Sequence, residues 1–319
     1  MTAPPNHFRR LIYLTAILAV LVIIAAIWLW ISRRPTPPTA LSLDPKNLAP
    51  LSLPLLDKPI VQPTSSADAG PLYRNALADY ASDADAADAY SRDPHGKAPA
   101  SITALLDAAT CDHMTLFISE PEKLANYDAQ HPDLETLAEM GNLLDRVGLS
   151  LKLKKQIPDA QKYFQASYTL GDNLFRERIC YDEYLKGIGL MNAAAAALAE
   201  CAPAGSAEQS ALTAQSAAIT EYDTEHVAPI YQAITSVDQA DIAVHAGDIF
   251  RFADLSQDRM IRVEAILSVG RLRFDADRSG DQYAAPRELA KLQGDADPVI
   301  RAAADAAANL TLEQYRAFH

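Results

Sequence analysis

One short stretch, Asp-Ala-Asp-Arg-Ser-Gly-Asp starting at position 275, carries oxygen side chains at the spacing that a calcium-binding loop uses. Asp275, Asp277 and Ser279 stand at loop positions 1, 3 and 5, Gly280 follows, and Asp281 adds a further carboxylate. Calcium takes six to eight oxygen ligands, and a glycine at position 6 permits the sharp turn of the loop. These four oxygen-bearing residues are the candidate metal ligands, and calcium is the single cofactor to consider.

The same stretch departs from an EF-hand-type loop at its end. Position 12 of such a loop is a bidentate Glu, whereas this chain has Pro286 there and Glu288 two residues late. Arg278 also places a positive charge inside the loop. The alternative is a polar turn between helices, with Gly280 at positive φ and Asp residues as local caps. The sequence favours this turn.

Cysteine and histidine residues offer little further chemistry. Cys111 and His113 are two metal-ligand types close together, but no second pair follows at zinc-like spacing. Cys180 and Cys201 flank a predicted helix of about 20 residues, which is too long for a disulfide to join its ends. We expect each cysteine to be a small buried apolar residue.

Catalytic motifs are also missing from the sequence. We find no G-x-S-x-G, H-E-x-x-H, Walker or dinucleotide-binding glycine pattern. His245 and Asp248 stand on one predicted helical face as a general base would require, but a surface or capping pair is the commoner use. We therefore predict that the protein is not an enzyme.

Charge narrows the class of partner. The 319 residues include 28 Lys and Arg against 41 Asp and Glu, which gives a formal net charge of −13. Because phosphate backbones and anionic headgroups need a basic surface, nucleic acid and docking on lipid headgroups are both excluded as binding modes. A protein or peptide partner, preferably a basic one, is the expectation.

A membrane anchor is predicted near the N-terminus. Residues 11–31 form an uninterrupted run without charge, and Trp28 and Trp30 stand near its end. Such a run reaches about 31 Å as a helix, which matches the hydrocarbon core of a bilayer. The alternatives are a cleaved signal peptide and a buried core helix, but Arg33-Arg34 follows without a small-residue cleavage site. A single-pass signal-anchor with an exported soluble part is our prediction.

Proline density defines the next boundary. Half of the 20 prolines precede Gly70, and proline fixes φ and removes a hydrogen-bond donor. We read this region as an extended stalk whose apolar residues leave room for part of it to pack on the domain. The predicted organisation is a tail (1–10), an anchor (11–31), a stalk (32–66), a helical domain (67–237) and a helical C-terminal part (238–319).

In the soluble part, apolar residues recur three and four positions apart, which is the period of amphipathic helices. The predicted fold class is therefore all-α. An N-terminal transmembrane helix and a proline-rich stalk precede this helical part. Pro158 suits the first turn of a helix, and Ser206 with Gln209 has the spacing of a capping box. Pro229 should kink or end the helix around it. Antiparallel helix pairs in an α-solenoid-like domain or a bundle are expected.

One segment resembles a tetratricopeptide (TPR) motif. Residues 144–172 read Leu144-x2-Val147-Gly148-x2-Leu151-x8-Ala160-x3-Phe164-x2-Ser167-x4-Asp172. The departures are Leu144 and Leu151 in place of aromatic residues and Asp172 in place of proline. The resemblance implies a helical hairpin whose small residues sit where the two helices approach closely.

A second periodicity near the C-terminus, over about 245–310, resembles two HEAT repeats. At an offset of 39 the aligned pairs are Asp258 with Asp297, Ile261 with Ile300, Arg262 with Arg301, and Ala265 with Ala304. In that family the Asp caps the second helix of each unit and the Arg stacks from unit to unit. Together with the predicted anchor, the acidic charge and the missing catalytic motifs, the resemblances lead us to expect a membrane-anchored, non-enzymatic adaptor or scaffold that presents an acidic helical surface. The alternative function is a calcium- or small-ligand-binding domain that uses the loop 275–281.

Overall fold

The computed structural model describes residues 63–128, 130–236, 246–274 and 279–317, and these residues are mostly helical. The helices are α1 (Gly70–Arg92), α2 (Ala100–Ala108), α3 (Pro132–Leu153), α4 (Ile157–Glu177), α5 (Tyr181–Cys201), α6 (Ala207–Tyr222), α7 (Ala228–Thr235), α8 (Ala246–Leu255), α9 (Arg259–Leu272), α10 (Ser279–Leu292), α11 (Pro298–Asn309) and α12 (Leu312–Ala317).

Two short strands add to the predicted all-α fold. Strand β1 (Ser65–Asp68) pairs in parallel with β2 (Cys111–His113), and a 3₁₀ turn follows at Pro121–Lys123. Strand β1 begins within the last two residues of the predicted stalk (32–66), a region that we expected to be extended but not to form a sheet. It forms because the last stalk proline is Pro63, so the N–H groups of the residues after it are free to donate.

Local signals at the helix ends are confirmed. Pro158 lies in the first turn of α4. Ser206 caps α6 through a bond from the Gln209 N–H to its Oγ, at 3.1 Å. Directly before Pro229 the backbone forms a π-helical turn at Asp223–Val227, as expected where proline disturbs the helical hydrogen-bond ladder. These residues determine where the helices begin and break.

Consecutive helices pack against each other as pairs. Helix α4 contacts both α3 and α5, α8 packs on α9, and α10 packs on α11. The prediction of packed adjacent helix pairs is therefore confirmed, and the arrangement is compatible with a helical-repeat fold. Buried aromatic residues at the centre of the α1–α5 region include Tyr73, Phe164 and Tyr184.

The fold class requires one correction, which concerns the membrane helix. Over the four described ranges no helix combines the length and apolar character needed to cross a bilayer. The longest described helices fail this requirement because their buried apolar stripes alternate with charged faces. The predicted tail, the anchor at 11–31 and most of the stalk lie outside the described residues, as does the predicted boundary at 237/238. Export of the soluble part stays a prediction.

Candidate functional site

The strongest candidate site is a groove of about 370 Å³ between the 3₁₀ turn region, α3, α5, α7 and α9, which we call the acidic groove. Its acidic residues come from four separate segments, and two tyrosines and one guanidinium accompany them. They are Asp128, Glu135, Asp182, Glu264, Tyr127, Tyr231 and Arg271. The lining residues thus include four carboxyl groups and one guanidinium, and Lys186 pairs with one of the carboxylates, Glu135.

Hydrogen bonds hold the inner end of the acidic groove in place. The Glu264 Oε1 accepts a bond from the Tyr181 N–H at 2.9 Å, which ties α9 to the first turn of α5. Burial raises the pKa of Glu264 above its ordinary value. The rings of Tyr181 and Tyr231 stack with centroids 3.6 Å apart. The Arg271 Nη2 donates to the Thr235 carbonyl at 2.8 Å.

The outer end of the acidic groove is more open. Asp128 and Glu135 are exposed, and Asp182 is partly buried. The Glu135 Oε2 lies 2.8 Å from the Lys186 Nζ. The hydroxyl of Tyr127 donates to the Leu267 carbonyl, which fixes the aromatic wall on α9. The groove thus combines accessible carboxylates with rigid aromatic surface, the chemistry that receives a Lys or Arg side chain.

A neighbouring pocket of about 270 Å³ contains four arginines, namely Arg176, Arg178, Arg259 and Arg262. Each of the four pairs with a carboxylate within 3.1 Å, at Asp172, Asp258, Asp297 and Asp295 respectively. Because these pairs satisfy the arginines internally, we interpret the pocket as part of the ion-pair network that joins α4, α9 and α11.

Two buried glutamates flank this network. Glu177 accepts a bond from the Ile118 N–H at 2.7 Å, and burial raises its pKa to about 7. Glu183 accepts from the Ile179 N–H at 2.5 Å, and burial raises its pKa well above its ordinary value. One carboxyl oxygen of each residue has no hydrogen-bond partner. Both side chains cap backbone turns, and Glu177 also lines the arginine-containing pocket.

The predicted calcium loop is described only in part. Asp275 and Asp277 lie outside the described residues, and Ser279 and Asp281 fall in the first turn of α10. In the described parts of the chain no group of three or more His, Cys, Asp or Glu side chains is arranged to hold a metal ion. The loop therefore stays a prediction.

Cys111 and His113 are not brought together as ligands. Cys111 is buried, whereas His113 is exposed and its Nδ1 lies 2.5 Å from the Asp112 Oδ1. This hydrogen bond raises the pKa of His113. Cys180 and Cys201 stand at the two ends of α5, as predicted, and all three cysteines are free thiols.

Sequence reasoning missed the acidic groove. Its members are spread from Asp128 to Arg271, and no local spacing links them. The two stacked tyrosines of this region, Tyr181 and Tyr231, stand 50 positions apart in the sequence, so their spacing gave no signal either. Comparisons add no outside guide, because no protein-family model, curated protein or solved structure matches this chain.

Proposed function

We propose that this protein is a non-enzymatic helical-repeat adaptor or scaffold that presents an acidic helical surface to a basic protein or peptide partner. The observation that carries the proposal is the acidic groove, in which Asp128, Asp182 and Glu264 stand beside the rings of Tyr127 and Tyr231. A Lys or Arg side chain gains both charge pairing and a cation–π contact in such surroundings.

The helical-repeat assignment is part of the proposal. A Cβ atom on Gly148 would lie 2.6 Å from the Phe164 ring, which supports a tetratricopeptide-like close approach of α3 and α4. Asp258 caps α9 and Asp297 caps α11, each through its own side chain. The equivalent capping at an offset of 39 supports two HEAT-like units, and Arg262 links them by donating to Asp295 at 2.6 Å.

Binding of a basic peptide tests the function directly. A fluorescent Lys- and Arg-rich peptide is titrated with the full chain, and the affinity is compared with that of D182N/E264Q. We expect the variant to bind about tenfold more weakly, since the partly buried Asp182 carboxylate and the Glu264 carboxyl are both replaced by amides that carry no charge. Glu264→Gln retains an acceptor for the Tyr181 N–H, so the fold is preserved. Glu208→Gln, at an exposed position of α6, is the matched control and should bind as the wild type does.

Salt dependence supplies a second criterion. Because the proposed contact is electrostatic and partly exposed, affinity should fall as ionic strength rises. Equal affinity of wild type and D182N/E264Q, or stronger binding of an acidic peptide than of a basic one, would overturn the proposal.

A further inference from the structure

A second groove, of about 550 Å³, lies between the end of α1, α2 and α4, and we call it the tyrosine groove. Its lining is mixed, with an apolar wall that includes Tyr90, Leu106, Leu151, Tyr163 and Ala166 and with polar residues at several of its other positions. The hydroxyls of Tyr90 and Tyr163 lie 3.0 Å apart and hydrogen-bond to each other. This bond satisfies the polar ends of both side chains and leaves their rings as an apolar surface.

The described chain enters the domain at the edge of this groove. The N–H groups of Thr64 and Ser65 both donate to the Thr110 carbonyl, at 2.9 and 3.0 Å, and Thr110 lines the tyrosine groove. Strand β1 runs parallel to β2, so Pro63 and Thr64 enter β1 at the end where the residues that precede Cys111 enter β2. Ala109, another lining residue, is among these.

The segment that comes directly before this entry point has a matching chemistry. Residues 51–62 lie outside the described residues, and their sequence is Leu-Ser-Leu-Pro-Leu-Leu-Asp-Lys-Pro-Ile-Val-Gln. Proline-containing segments dock on grooves lined by aromatic side chains because they lose little entropy on binding. Twelve residues in this extended form reach about 37 Å, more than a groove of this size requires.

We propose that residues 51–62 of the same chain occupy the tyrosine groove, with their leucine and proline side chains packed on Tyr90 and Tyr163. A tether that ends at Thr64, on the rim of the groove, gives the segment an effective concentration of about millimolar or above. This favours the chain's own segment over a second copy or a separate peptide. The inference is independent of the acidic groove, since the two grooves share no lining residue.

Photocrosslinking tests the occupant in the full chain. A benzophenone amino acid replaces Leu55, isotopically labelled and unlabelled chains are mixed, and crosslinked peptides are identified by mass spectrometry. We expect crosslinks to α2 and α4 within single chains. The same probe at Leu41 is the matched control and should not reach these helices. Crosslinks between labelled and unlabelled chains, or none to the tyrosine groove, would overturn the proposal.

Competition in solution gives an independent test. A synthetic peptide of residues 51–62 is titrated into the wild type, into L55S/L56S/I60S and into the upstream control L41S/L43S. With its own segment weakened, L55S/L56S/I60S should bind the added peptide, whereas the wild type and the control bind it much more weakly. Equal binding by all three chains, or binding by none, would contradict the inference.

Discussion

The carbonyl oxygen of Gly187 lies 2.6 Å from the position that a Cβ atom on Gly171 would occupy, so the backbones of α4 and α5 touch where the two helices cross. Neither helix can move away without losing the packing around Leu174 and Met191, both of which are fully buried. The close contact between α4 and α5 therefore depends on two residues that have no side chain.

Gly171→Ala should destabilise the protein by about 1–3 kcal/mol or more, because its Cβ would meet backbone atoms that cannot rotate aside. The matched control is Gly189→Ala in α5, where an added Cβ has nothing within 4 Å. The control should stabilise the helix by about 0.5–1 kcal/mol. Urea unfolding measures both changes, and equal midpoints for the two variants would show that the crossing is not this close.

Asp258→Ala should be one of the more damaging single substitutions. It removes the N-cap of α9 and leaves the partly buried Arg178 guanidinium without the carboxylate that lies 2.7 Å away. We expect a loss of about 3–5 kcal/mol in the free energy of unfolding. Asp297→Ala, which removes the equivalent cap of α11 from a more exposed pair with Arg259, should cost about 1 kcal/mol. If denaturant unfolding shows that Asp297→Ala costs more stability than Asp258→Ala, this reasoning is wrong.

Stability should fall as pH rises from about 5 to about 8. Burial raises the pKa of Glu177 from 4.5 to about 7, so the folded state holds a proton that the unfolded state releases in this window. This stabilisation is complete below the pKa of Glu177 in the unfolded state and is lost as the pH rises through its pKa in the folded state. The free energy lost is about 3 kcal/mol for Glu177. Asp145 and Glu183, whose pKa values are also raised by burial, act in the same direction.

Glu177→Gln isolates that contribution. The amide keeps an acceptor for the Ile118 N–H but does not titrate, so the slope of unfolding free energy against pH should become shallower. Glu208→Gln, at an exposed position, should leave the slope unchanged. Urea unfolding at several pH values gives these slopes, and a wild type that gains stability toward pH 8 would refute the assignment.

Cys201 should be the thiol that reacts in the native protein. Cys111 and Cys180 are both 4% exposed, and burial raises the pKa of the Cys180 thiol well above its ordinary value. Cys201 is partly exposed at the end of α5. A thiol-specific reagent should therefore modify one cysteine quickly and all three only in denaturant, and Cys201→Ser should abolish the fast phase. If the Cys201→Ser variant is still modified quickly, Cys201 is not the reactive thiol.

Sequence reasoning succeeded where a single residue determines local backbone geometry. Pro158, Ser206, Pro229 and Asp258 act through bonds or steric contacts within four residues of themselves, so their effects can be deduced from spacing. The packing of consecutive helices also follows from amphipathic periodicity, because each apolar stripe requires a neighbour.

The features that sequence reasoning missed depend on contacts between distant parts of the chain. Strand β2 has three residues, which are too few to show an alternating apolar pattern. It forms because it pairs with β1, in which Ser65 is matched with Cys111, 46 positions later. Arg178 and Asp258 pair across 80 residues, and nothing near either one indicates the other. The same holds for the acidic groove, whose walls come together only when α5, α7 and α9 are packed.

The hydrogen bond from the Tyr127 hydroxyl to the Leu267 carbonyl spans 140 residues, and the 3₁₀ turn at Pro121–Lys123 also contacts α11. In an open array of repeats, each unit interacts only with its neighbours and the ends can fray independently. Here the segment before α3 contacts α9 and α11 directly, without involving the helices that lie between them in the sequence. Loss of either end therefore removes contacts from the other, and the domain should unfold in one cooperative step, with the slower folding that such distant contacts impose.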